Sequence, residues 1–275
     1  MKFNEGASNL EKSSQSVTAV VLAAGMGTRM KSDLPKVLHE VCGKPMVVHV
    51  IEALKNSGVN RVGLVLSNQL ELFQTFLDSY PDLEVCVQEK RRGTGDAVAS
   101  SAVFFEGVTE PHYSQLSLRR GNKKSVDHVI ICAGDTPALD HGVLREFIED
   151  HIKEDSSVSV LGMDLHNPSG YGRLVTDSDG NLSQIVEHKD STDDQLKITV
   201  CNTGVILAKT DDLFSYLDQL NCDNAQGEYY LTDIIAIAKS RSRKVRAFIT
   251  SDWESFMGVN TLEQKKEVEN FMRNL

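Results

Sequence analysis

Val17 to Leu22 (VTAVVL) is an apolar, largely β-branched run that ends abruptly in Ala23-Ala24-Gly25-Met26-Gly27. A run without polar alternation suits a strand buried on both faces, the situation at the centre of a parallel sheet covered by helices. The loop that leaves its carboxyl end is built from residues with little or no side chain. A ligand can therefore come close to the backbone and use its N–H groups as anion donors. Arg29 and Lys36 follow within the same stretch and add fixed positive charge.

Two phosphate-binding loops are excluded by the residues themselves. A dinucleotide fingerprint needs G-x-G-x-x-G and an acidic residue after the second strand. Here Met30 fills the third glycine position, and the next strand, Arg61 to Leu66, runs into Ser67. A P-loop needs G-x-x-x-x-G-K followed by Ser or Thr, and no such run exists. The stretch reads as a triphosphate cradle of another kind.

Composition narrows the setting. The chain has 275 residues, enough for one large or two small domains, and is 40% hydrophobic and 25% charged, as in ordinary globular enzymes. Lys and Arg number 29 against 39 Asp and Glu, a net charge of -10, which disfavours nucleic-acid binding and requires an anionic substrate to find local cations. No apolar run is long enough for a membrane span. Residues 1–16 are polar and lack the apolar segment of a secretory signal, so they read as a flexible tail. The five cysteines are scattered without C-x-x-C spacing, which fits a reducing cytoplasm better than disulfides or zinc.

Strands and helices then alternate. Pro45 opens a helix with Val47, Val50, Ile51 and Leu54 on one face, ended by Gly58. Arg61 to Leu66 is a strand, Gln69 to Tyr80 a helix, Leu83 to Val87 a strand, and Gly93-Thr94-Gly95 opens a helix over Asp96 to Phe105. The irregular residues 107–125, with Arg119, Arg120, Lys123 and Lys124, read as a solvated surface insertion. Val129 to Cys132 is a buried strand, Asp140 to Lys153 a helix and Ser157 to Met163 a strand. A hairpin follows around Asp179-Gly180, then a strand over Thr203 to Ala208. The order predicts an α/β, Rossmann-like fold: a mixed, mostly parallel sheet with helices on both faces.

Several polar residues fall where ligands bind such sheets, outside the strand carboxyl ends. Gln88 can offer a base edge both a donor and an acceptor. Asp135, in Ala133-Gly134-Asp135-Thr136-Pro137, ends a central strand and either holds a divalent cation or caps a turn. Asp177-Ser178-Asp179 spells a D-x-D metal motif, but lying directly before Gly180 it reads better as turn chemistry. Thr261 with Gln264 makes a capping box for a last helix, whose Val268, Phe271, Met272 and Leu275 form an apolar stripe.

Leu22 to Met30 (LAAGMGTRM) with Leu34-Pro35-Lys36 resembles the signature of sugar-1-phosphate nucleotidylyltransferases. Gln88, Gly93 and Thr94 match the segment that reads uracil in the N-acetylglucosamine-1-phosphate uridylyltransferases, whereas Arg91, Arg92 and Asp96 stand where that pattern has Gln, Leu and His. Gly170-Tyr-Gly-Arg173, Glu187-His-Lys-Asp190, Asn202-Thr-Gly204, Asn224 to Asp233 and Gly258-Val-Asn260 extend the match in order. The resemblance implies that Leu22, Ala23, Ala24, Gly25, Gly27 and Thr28 wrap a nucleoside triphosphate whose phosphates Arg29 and Lys36 neutralise as the catalytic pair. It implies base contacts from Gln88 and Gly93, with Thr94, Ala133 and Gly134 also binding substrate. Gly172, Glu187, Asn202, Tyr230 and Thr232 would bind the sugar, and Asp135 with Asn260 would hold Mg²⁺.

The implied reaction transfers UMP from UTP to N-acetyl-α-D-glucosamine 1-phosphate for cell-wall precursor synthesis in the cytoplasm, without nucleic-acid or membrane partners. The alternatives are a different sugar or base, or a non-catalytic nucleotide-sugar sensor. Residues 17–260 would form the nucleotidyltransferase domain. Relatives of this kind usually carry a hexapeptide-repeat acetyltransferase domain, for which residues 261–275 would be a linker, unless their stripe serves a partner contact such as self-association.

Overall fold

The computed structural model describes residues 15–25, 27–30, 32–81, 83–108, 116–120 and 124–275. Four parallel strands form its centre: β1 (Val17–Ala23) lies between β4 (Arg61–Ser67) and β7 (His128–Ala133), and β4 pairs onward with β5 (Glu84–Gln88). On β1, Ala19, Val21 and Ala23 join one core cluster and Val20 joins the other, all essentially inaccessible. Burial on both faces is what the uninterrupted apolar run predicts.

The first cluster is roofed by α1 (Met46–Asn56), α2 (Gln74–Ser79) and α4 (His141–Lys153), and the second by α3 (Thr94–Ser100), α5 (Thr210–Leu217) and α6 (Ile234–Ser240). Between β1 and α1, the two-residue strands β2 (Glu40–Val41) and β3 (Lys44–Pro45) form a small hairpin. The helix expected over Gln69 to Tyr80 begins instead as a 3-10 turn at Leu70–Phe73, and Leu72 is 39% exposed. With three residues per turn, Leu70 and Phe73 stack on the core side and Leu72 turns outward.

The stretch 107–125 is more than a solvated insertion. Its β6 (Leu116–Arg120) pairs antiparallel with β5, with Gln88 opposite Leu116 and Val85 opposite Arg120. An open β5 edge would leave its backbone donors and acceptors without partners, and β6 supplies them. Residues 109–115 and 121–123, including Lys123, lie outside the described residues, as does most of the polar amino-terminal stretch; Ser16 of that stretch is tied to Asp127 Oδ2 through its N–H at 2.7 Å.

Beyond β7 the sheet turns antiparallel. The long β11 (Val200–Lys209) runs along β8 (Val158–Asp164), while its opposite edge serves β7 through Ile206–Lys209 and β9 (Arg173–Thr176) through Cys201. A register shift between Asn202 and Ile206, with Gly204 at φ +85°, marks the point where β11 changes partner. β9 and β10 (Leu182–Val186) form the expected hairpin, and β12 (Val245–Thr250) closes the sheet in parallel with β8. The D-x-D stretch is turn chemistry: Asp177 Oδ1 accepts the N–H groups of Asp179 at 3.0 Å and Asn181 at 2.9 Å. Its Oδ2 pairs with Lys239.

At the amino-terminal end of β7, His128 Nδ1 lies 3.1 Å from His151 Nε2, and His151 Nδ1 lies 2.8 Å from Ser159 Oγ. Burial drives both imidazoles below their ordinary values, with His151 pushed down to about 3. In the unfolded chain each takes a proton near pH 6.5, so stability present above that pH is lost as pH falls from about 6.5 toward about 3. The slope is up to about 1.4 kcal/mol per pH unit for each histidine. Urea melts should show a lower midpoint at pH 5 than at pH 7.5, with a smaller difference in His151→Gln; equal differences would remove His151 as the cause.

Candidate active site

The carboxyl ends of β1, β4, β5 and β7 all point to one edge, and the loops leaving β1, β5 and β7 line a cavity of about 320 Å³. Leu22, Ala24, Gly25 and Lys36 line it from the first loop, Gln88, Gly93 and Thr94 from the second, and Ala133 and Asp135 from the third. Arg91 and Glu228 also face it. Ala23 does not: it packs in the core beneath the loop. Gly134 ties the third loop to the first, its N–H bonding Leu22 O at 2.9 Å.

Gly27 sits at φ +61°, and a Cβ there would lie 2.5 Å from Lys36 Cβ. The turn thus needs glycine both for its left-handed backbone and for the close passage of Lys36. Thr28–Met30 is a 3-10 turn; the Thr28 side chain lies outside the described residues. Met30 is only 1% exposed, buried with Val41, Met46, Ala138, Val259 and Val268. Burying such a side chain contributes roughly 1.5–3 kcal/mol, and it anchors the backbone from which Arg29 projects.

Val268 belongs to α7 (Leu262–Met272), whose stripe docks on this chain through Val268, Phe271 and Met272, while Leu275 is 84% exposed. The capping box forms: Thr261 Oγ1 accepts the Gln264 N–H at 3.2 Å, and Gln264 Oε1 accepts the Asn260 N–H at 2.7 Å. Val259 N–H bonds Asp135 O at 2.9 Å and brings the Gly258–Asn260 segment against the end of β7.

The four charged and metal-assigned residues meet there. Lys36 Nζ pairs with Asp135 and donates to Asn260 Oδ1 at 3.0 Å, and Arg29 Nη2 reaches the same Asn260 oxygen at 2.8 Å. Lys36 and Asn260 are 224 positions apart in the chain. One ammonium therefore stands between the two oxygens assigned to a metal. Two hard oxygens converging on a single cation suit Mg²⁺, which takes few protein ligands and completes its shell with phosphate and water. Among the described residues, no group of three or more His, Cys, Asp or Glu is arranged to hold a metal unaided.

A second constellation adjoins the first. Glu187 Oε1 accepts from Thr232 Oγ1 at 3.0 Å, and a Cβ on Gly172 would come within 3.6 Å of both Glu187 oxygens. Asn202 uses its Oδ1 for the Gly204 N–H at 2.9 Å, and its N–H bonds Gly172 O at 2.9 Å. Its side-chain amide nitrogen makes no hydrogen bond among the described residues. Tyr230 directs its hydroxyl to Asp190 Oδ2 at 3.2 Å and receives Gln226 Nε2 at 2.8 Å. Burial raises the Glu187 carboxyl, against the Thr232 hydrogen bond, and burial beside Glu187 and Asp190 raises Asp233 to about 6.

The two halves are strapped together. Tyr229 N–H bonds Arg92 O at 2.7 Å, Gly95 N–H bonds Tyr229 O at 2.8 Å, and Leu231 N–H bonds Thr94 Oγ1 at 3.0 Å. Polar residues not assigned from the sequence also stand beside these groups. Arg91 and Glu228 line the cavity, and Tyr171 is a half-buried phenol bonded to the Gly258 backbone near Asp135. Tyr171 lay within a matched motif, and that position was the available signal.

Residues 19–186, more than half of the chain, match the MobA-like NTP transferase domain. The chain is 39% identical over 256 residues to the bifunctional protein GlmU of Clostridium perfringens (strain ATCC 13124), covering 93% of this chain and 52% of that one. It is 36% identical over 255 residues to the bifunctional protein GlmU of Clostridioides difficile (strain 630), covering 93% and 51%. The chain thus spans about half the length of the curated relatives it matches. A Bacillus anthracis structure described as a glucose-1-phosphate thymidylyltransferase, in complex with sucrose, superposes with a TM-score of 0.70 at 19% identity, covering 94% of this chain and 96% of that one. That likeness bears on the fold, which is the mixed, mostly parallel nucleotidyltransferase sheet. By its matched span, this chain belongs to the MobA-like NTP transferase domain family.

Proposed function

We propose that this chain transfers UMP from UTP to N-acetyl-α-D-glucosamine 1-phosphate, releasing pyrophosphate. The observation that carries the reading is the convergence of Arg29, Lys36, Asp135 and Asn260 beside the cavity that Gln88 lines. The choice of sugar and base rests on the uridylyltransferase motifs, and bifunctional GlmU proteins match the chain over 93% of its length. Asp135 and Asn260 would hold Mg²⁺. When bound, the ion supplies positive charge against the triphosphate oxygens.

The attacking group is an oxygen of the sugar phosphate. With a second pKa near 6 it is already largely ionised at neutral pH, so no general base is required. Its bond to the α-phosphorus forms as the bond from that phosphorus to the pyrophosphate oxygen breaks. The barrier comes from bringing one anion onto another. The chain lowers it by positioning and charge: Lys36 and Arg29 neutralise the phosphates, and the small-residue loop lets them lie against backbone donors. Glu187, with its partner Thr232, and the Asn202 amide offer acceptors and a donor to sugar hydroxyl and acetamido groups.

Pyrophosphate release with UTP and N-acetylglucosamine 1-phosphate should require both substrates, cease with EDTA and return with excess Mg²⁺. Release that ignores the sugar phosphate or survives EDTA would overturn the reading. A panel of nucleoside triphosphates and sugar 1-phosphates identifies a different base or sugar, and nucleotide-sugar binding without release marks a sensor.

A further inference from the structure

Arg92 and Asp96, which depart from the uridylyltransferase pattern, form one unit with Gln88. Asp96 is 2% exposed and Gln88 is 3% exposed. Arg92 Nη2 donates to Asp96 Oδ1, four positions on, at 2.9 Å, and its guanidinium lies 5.8 Å from the centre of the Tyr229 ring. The other oxygen, Asp96 Oδ2, accepts Gln88 Nε2 at 2.8 Å, and Gly93 O accepts the same nitrogen at 3.1 Å.

Both neighbours of that nitrogen are acceptors. The amide therefore has one orientation, because the flipped form would set its oxygen against a carboxylate and a carbonyl. Flipping would leave Asp96 Oδ2 without the amide donor and set the amide oxygen against two acceptors, at a cost of about 1–3 kcal/mol for each unpaired group, while Gly93 O would keep only the Ala97 N–H at 3.1 Å. The Gln88 oxygen makes no hydrogen bond among the described residues, and Gln88 lines the nucleotide cavity. What the pocket presents from Gln88 is thus an acceptor.

We propose that Asp96, held by Arg92, is a specificity-determining positioning residue. It locks the Gln88 amide with its nitrogen inward and its oxygen toward the cavity, so that the pocket selects a base carrying an N–H on its pairing edge. The inference rests on the nucleotidyl-transfer reading. Uracil offers an N–H at N3, where cytosine has a lone pair. An aligned carbonyl bonds the first and repels the second, and sites built around such a bond reject analogues that cannot make it. Arg92 answers the charge that Asp96 brings into the fold.

The test is the ratio of kcat/KM for UTP to that for CTP, each with N-acetylglucosamine 1-phosphate. In Asp96→Leu the Gln88 amide is free to turn, and the ratio should fall at least tenfold, with CTP turnover rising in relative terms. Arg92→Leu with Asp96→Leu removes the pair without stranding the guanidinium, and should show the same fall if the single variant folds poorly. Arg92→Leu with Asp96→His places a hydrogen-bonding imidazole beside Gln88 and should retain the ratio. A purely structural role would lower both nucleotides alike. If wild type favours UTP and folded variants keep its ratio, the inference is overturned and the proposed function stands. If wild type turns over neither nucleotide, the proposed function falls and the inference falls with it.

Discussion

Asp135→Ala is expected to lower kcat by about 10³-fold or more, close to 4 kcal/mol of transition-state stabilisation. Asp135 brings a carboxylate to the point where Lys36, Arg29 and Asn260 meet, and its backbone oxygen is held by the Val259 N–H at 2.9 Å. Its removal takes away the negative partner of a mostly buried ammonium and the charged member of the pair assigned to Mg²⁺. Asp135→Asn keeps the shape and one oxygen, so a loss nearly as large in that variant assigns the effect to charge. Steady-state pyrophosphate release across a Mg²⁺ titration is the measurement. A near-normal rate in Asp135→Ala would remove the residue from metal binding.

Lys36→Ala should reduce kcat/KM by about 10²-fold or more, a loss of about 2.7 kcal/mol or above, carried mainly in kcat. Lys36 reaches both Asp135 and Asn260, and its stem packs where a Gly27 side chain would otherwise lie. Its charge is most valuable when negative charge builds on the transferring and leaving phosphates, so the ground state should feel its loss less. A raised KM for UTP with kcat unchanged would make Lys36 a binding residue instead. An unchanged rate would take it out of the site.

The site was legible where chemistry is written in a short window. The small residues after β1, the cations at 29 and 36, the Asp135 turn and the Thr261 cap were all open to reading. Each depends on a few neighbours: side-chain volume, a turn's dihedral demands, the spacing of one helical turn. The Asp177 turn was resolved in the same way, since its acceptor bonds residues two and four positions on.

Other features were hidden for identifiable reasons. β12 escaped because Arg246 interrupts a short apolar run, and that charge is accommodated by Asp150 and Glu154, at the end of a helix about ninety residues upstream. β6 lies in an irregular, basic stretch whose pairing is imposed by the open edge of β5. The docking of α7 could not be assigned from its stripe alone, because its receptor is assembled from Met30, Val41, Met46, Ala138 and Val259.

The linear order of residues alone determined a central strand buried on both faces, a loop of small residues at its end with two cations beside it, and the α/β alternation that sends other loops to the same edge. These follow from periodicity, side-chain size and backbone freedom, which act between near neighbours. Tertiary structure alone decided that Asn260 would share one oxygen between Arg29 and Lys36, that the Glu228–Thr232 segment would be strapped to the loop between β5 and α3, and that the Gln88 amide nitrogen would be held by Asp96 and Gly93. Those outcomes depend on strand order, on burial that spans the chain, and on the need of every buried donor and acceptor for a partner.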